Sequence, residues 1–137
     1  MVAKIAYKSK ITPPDGEILV QTGLGQGVLK VDENEIHLAY IEVTSGNRVS
    51  LLITLREVVM RRVGDYSLEM RFIPGESTHS EYITPHGFFA MDIHTQNVLN
   101  TLKAERGGML ALSYELDFGS HKTQNLMQIR VKNAEEK

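Results

Sequence analysis

The chain has 137 residues, 42% of them hydrophobic and 23% charged, the proportions of one folded domain that buries about two-thirds of its unfolded surface. Its 15 basic and 17 acidic residues are spread along the chain and leave a formal net charge of −2, so there is no electrostatic footprint for nucleic acid or an anionic membrane. The absence of cysteine excludes disulfides, thiolate nucleophiles and cysteine-built zinc sites, and no apolar run is long enough for a signal-peptide core or a membrane span. The expectation is a single cytoplasmic domain over residues 1–137.

From the N-terminus onward, apolar and polar residues alternate in short runs bounded by turn formers, the pattern of half-buried strands. Ile5, Tyr7 and Ile11 share one face of a first strand, and Ile18, Val20 and Leu24 one face of a second, with the proline-led turn Pro13-Pro14-Asp15-Gly16 between them. Gly23, Gly25 and Gly27 suit bends or bulges at a barrel corner; read as a phosphate-touching loop they lack the helix that should follow. The alternation continues through Ile36, Leu38 and Tyr40, then Val49, Leu51, Ile53 and Leu55. Arg56, Arg61 and Arg62 follow with Glu57 among them, and read as a solvated strand edge or hairpin.

Leu68, Met70 and Phe72 make the next apolar face, and Phe89, Met91 and Ile93 another, with turns at Pro74-Gly75 and Pro85 to Gly87. Between Gln96 and Glu105 the alternation fails, and Val98, Leu99 and Leu102 are spaced for one or two helical turns or a wide loop. The strongest strand signal is Leu110, Leu112, Tyr114, Leu116 and Phe118 at every second position, followed by Met127, Ile129 and Val131. Sequential strands joined by tight turns must bury one face and protect two edges, and closing the sheet does both. The predicted fold is therefore all-β, a small closed antiparallel barrel of about eight to ten strands.

The segment from Met70 to Gly87 resembles the YwiB-like family of uncharacterised bacterial proteins, through Arg71-Phe72 with Gly75 and Thr78, then Tyr82-x-Thr84 with Gly87. The likeness extends upstream to Ile36–Tyr40 and Val49–Arg62, and downstream to Ile93-His94-Thr95, Gly108–Leu116 and Asn125–Ile129. It implies a lipocalin-like, or calycin-like, barrel from bacteria of the low-GC Gram-positive group. It implies no activity, cofactor or catalytic residue.

Reactive side chains are scattered. Of the five histidines, none forms a ligand pair at helical spacing; His79 with Glu81, and Asp92 with His94, share strand faces but lack a third metal ligand. Glu115 and Asp117 stand about 7 Å apart by strand rise, a spacing used by glycosidase acid and base pairs, but on the polar face of their strand. No serine sits in a Gly-x-Ser-x-Gly elbow. Polar groups embedded in apolar faces are the better candidates: Tyr40, Tyr82 and Tyr114, with Arg71 reaching in from the rim. They fit a binding module for a small, mostly apolar ligand in the barrel interior, needing no metal or cofactor. The alternatives are a filled barrel acting as a structural or interaction domain, with a homodimer as one form of it, and an enzyme using the Asp92–His94 or Glu115–Asp117 pairs.

Overall fold

Alternation becomes ten antiparallel strands. In the computed structural model, which describes residues 1–135, they are β1 (Val2–Thr12), β2 (Leu19–Val31), β3 (Ile36–Glu42), β4 (Arg48–Ile53), β5 (Val58–Val63), β6 (Ser67–Phe72), β7 (Ser77–Thr84), β8 (Gly87–Asn100), β9 (Gly107–Asp117) and β10 (Lys122–Asn133). Each strand pairs with the next, and β1 also pairs with β10, closing the sheet into a barrel. Closure satisfies both edges at once, since every strand has a neighbour on either side.

Two local expectations are corrected. The glycines of β2 make no corner: β2 pairs with β1 in unbroken register from Leu19 to Val28. They clear space instead, because a Cβ on Gly23 would collide with the Tyr7 ring and one on Gly27 with the Ala39 carbonyl. Residues 96–100 are not helical either but complete β8, where the register with β9 shifts between Thr95 and Asn97. That bulge moves the inward position from Thr95 to Val98. Leu102, in the loop beyond, is buried against the core.

The interior is packed unevenly along its axis. At the end carrying the β2–β3, β4–β5, β6–β7 and β8–β9 connections, inward residues such as Leu38, Val58, Phe72, Ile93, Leu110 and Ile129 are at most 1% exposed. Toward the opposite end, inward residues including Tyr7, Leu68, Tyr82, Leu116, Phe118 and Met127 are only partly buried around that core. One half of the barrel is thus closed by fully buried side chains, and the other half is not.

The outer face carries charge, with Lys4, Lys8, Arg61, Glu69, Glu81 and Asp92 all exposed. A membrane-spanning barrel has the reverse arrangement, an apolar band outside and polar groups within. Among the described residues no helix is long and apolar enough to cross a membrane.

Candidate functional site

The unfilled half of the barrel contains a cavity of about 410 Å³ that reaches the barrel end carrying the β1–β2, β5–β6 and β9–β10 turns. Its apolar wall comes from Met60, Met70, Met91 and Met127, with Leu116 and Phe118. Methionine is unbranched and polarizable, so four of them make a wall that adapts its shape. Tyr66, Tyr82, Tyr114, Asn125 and Arg62 give the wall its main polar groups.

The four residues singled out from sequence separate here. Tyr82 and Tyr114 both line the cavity. Tyr82 is edge-on to Tyr66 at 6.2 Å and stacked with Phe89 at 5.1 Å, and Tyr114 is edge-on to Phe72 at 4.8 Å, where the filled half begins. Burial holds the Tyr114 hydroxyl far above its ordinary pKa, so it stays protonated and able to donate. Tyr40 is buried outside the cavity wall, stacked on Tyr7 at 6.5 Å. Arg71 does not reach inward. Met70 and Phe72 occupy the inward positions of β6, so Arg71 between them faces water, 55% exposed, with Glu57 3.5 Å from its guanidinium.

The arginine that enters the barrel is Arg62. It occupies the inward position of β5 above Val58 and Met60, and its Nη1 donates to Glu42 Oε1 at 2.6 Å. The expectation of a solvated basic cluster is thus wrong for Arg62 and right for Arg61, which sits on the outer face beside Glu69. Strand parity makes the difference, since neighbouring residues point to opposite sides of a sheet.

Glu42 is held from several sides. Its Oε1 also accepts from Ser45 Oγ at 2.9 Å, while Ser45 Oγ accepts the Asn47 amide and Asn47 Oδ1 accepts the Asp65 amide. The β3–β4 and β5–β6 turns are thereby tied together beside the cavity. Burial alone would raise the Glu42 pKa; hydrogen bonds from Arg62 and Ser45, with the Arg62 charge, outweigh it and the net shift is downward. Tyr7 and Tyr40 flank the pair. Burial first pushes both hydroxyls upward, and the Glu42 carboxylate adds to the effect on each.

The other candidates lie outside. His79 Nδ1 is 2.9 Å from Asp92 Oδ1 on the outer face, and that hydrogen bond raises the histidine pKa. His94 approaches Ser77 Oγ at 3.1 Å on the same face, and both groups are exposed. Glu115 and Asp117 belong to the outward set of β9, Glu115 lying 3.8 Å from Lys122 and Asp117 accepting the Gly119 amide. None of these groups lines the cavity. Among the described residues no three histidine, aspartate or glutamate side chains converge in a metal-binding group.

Arg62 and Glu42 went unread in the sequence because their pairing spans twenty positions. Spacing could not single Arg62 out, because Arg61 follows Val59 on one strand face just as Arg62 follows Met60 on the other.

Known proteins agree with this architecture. The chain is 25% identical over 95 residues to the uncharacterized beta-barrel protein YwiB of Bacillus subtilis (strain 168); the aligned part covers 68% of this chain and 66% of that protein. The crystal structure of the ywiB protein from Bacillus subtilis superposes with a TM-score of 0.85 at 24% identity, covering 97% of this chain and 92% of that one, which bears out the fold. Residues 5–129 match the model of a domain of unknown function, DUF1934, and a match over so much of the barrel means that the chain belongs to that family.

Proposed function

We propose that the protein binds a small, mostly apolar molecule in the open half of its barrel. The observation that supports this most directly is the division of the interior into a filled and an unfilled half. A purely structural barrel gains stability from every inward side chain it packs. Here packing stops midway, at a cavity of about 410 Å³, within the range of small-molecule sites, about 300 to 1,000 Å³. The lining combines an adaptable apolar wall with a few polar groups, the composition that such sites share. Tyr82 and Tyr114 supply polar contacts, while Tyr40, stacked on Tyr7, stays outside the site. The charged outer face and cysteine-free chain support a cytoplasmic setting.

The test is a fluorescence titration with N-phenyl-1-naphthylamine, a neutral dye that brightens in apolar surroundings. Saturable binding at one dye per protein is expected, weakened roughly tenfold or more when Leu116→Trp places an indole in the cavity, as the loss of about one buried side chain's worth of contact would give. Circular dichroism verifies that the variant keeps the barrel. Dye binding that does not saturate, or that ignores the tryptophan, sinks the reading.

A further inference from the structure

We propose that the occupant of this cavity is an anionic amphiphile, its head group held by Arg62 and its apolar body lying among the methionines. The inference rests on the reading of the cavity as a ligand site and adds the chemical class of the ligand. Among the described residues, the charged ones in the lining are Arg62 and, on the rim, Lys10, with no aspartate or glutamate. Glu42 stands behind Arg62 rather than in the cavity, its side chain 4% exposed, against 16% for Arg62. Together the three charges sum to plus one, which one monoanion neutralises.

The arginine is only partly used by the protein. A guanidinium has five N–H donors in a planar fork. Nη1 donates to Glu42, and the Tyr66 ring lies 6.0 Å from the guanidinium carbon. Among the described residues, Nε and Nη2 make no hydrogen bond, neither is a fully buried unpaired atom, and the side chain lines the cavity. Placing a cation inside a barrel strips it of much of its solvation. Glu42 offsets that loss from one side and leaves the other side of the fork toward the cavity. A fork presented in this way matches the paired oxygens of a carboxylate, sulfate or phosphate. Next to it, Met60 and Met70 begin a surface suited to an alkyl chain or a ring.

Decanoate and 1-decanol, which share a ten-carbon chain and differ in the charge of the head, decide the point by displacing N-phenyl-1-naphthylamine. Decanoate is expected to displace the dye at a concentration roughly tenfold lower than decanol, the factor associated with one charge-assisted hydrogen bond. In the double variant Glu42→Gln/Arg62→Met, which removes both charges together and so leaves no lone buried ion, the two compounds should become equivalent. If wild-type protein binds the dye but prefers decanol or treats both alike, the head-group assignment falls and the cavity reading stands. If the dye does not bind, both fall. Should the double variant not fold, the wild-type comparison decides alone.

Discussion

Arg62 and Glu42 make the strongest demand of any two residues in the barrel. Removing either alone leaves its partner as an unpaired ion in a largely dry place, and Glu42→Gln or Arg62→Met should each cost about 3 kcal/mol in denaturant unfolding. The double variant should recover most of that loss, because it removes the solvation cost with the attraction. The pair also fixes a pH dependence. The Glu42 carboxyl has a folded-state pKa below its ordinary 4.5, so its contribution is complete above pH 4.5 and fades as pH falls through the lower folded value. Wild-type stability should therefore drop more steeply below pH 4.5 than that of Glu42→Gln, and equal slopes would show that the carboxylate is not held down. Sequence showed half of this site. Tyr82 and Tyr114 declared themselves as polar groups on apolar faces, whereas Arg62 sits beside Arg61 in a stretch with charge on both faces, so local pattern could not tell the inward cation from the solvated one.

Among the strands, the weakest seam is β6 against β7, where backbone pairing covers only Ser67 with Ile83 and Leu68 with Tyr82. Farther along, side chains take over: Thr78 Oγ1 donates to the Arg71 carbonyl at 2.6 Å and Ser80 Oγ to the Glu69 carbonyl. Two hydroxyls thus stand in for ladder hydrogen bonds on a strand pair that contributes Leu68, Met70 and Tyr82 to the cavity wall. Ser80→Ala removes one of them and should cost about 1 kcal/mol. Amide exchange should accelerate in β6 and β7 and stay unchanged in β9 and β10, whose ladder runs from Lys122–Asp117 to Lys132–Gly107; a uniform acceleration would mean that the seam is no separate unit. In β2 the alternation marked the wrong face, since Val20 and Leu24 are exposed, and it carried β4 on to Leu55, which lies beyond the strand and is exposed; along most of the rest, strand identity was readable because period-two alternation is strictly local. It failed at residues 96–105, where the β8 bulge inserts a residue and turns i, i+2 spacing into i, i+3, which in a bare sequence is indistinguishable from a helical turn.

For the whole molecule, closure followed from strand order and the need to cover edges, but the uneven filling did not. How much space the inward residues leave depends on strand tilt and stagger, which no single strand encodes. Tyr7 illustrates this: its ring lies over Gly23 on the neighbouring strand, a space reserved by one residue for another. The β1–β10 seam joins the two ends of the strand order, with Ala3 opposite Asn133 and Thr12 opposite Gln124. A chain cut after residue 121 loses Ile129 and Val131 from the filled half, Asn125 and Met127 from the cavity wall, and leaves β1 and β9 with bare edges. It should give no folded monomer, as sedimentation and circular dichroism would reveal; a stable monomer with native strand content would mean that closure is dispensable.

The same seam sets a timetable for synthesis. On the ribosome β1 emerges before the other strands and meets its second neighbour last, so no quantity of completed sheet can protect its outer edge until residues 122–133 have left the exit tunnel. The nascent barrel is an open, adhesive sheet for nearly the whole of its synthesis, and its final strand acts as the lock that ends that exposure.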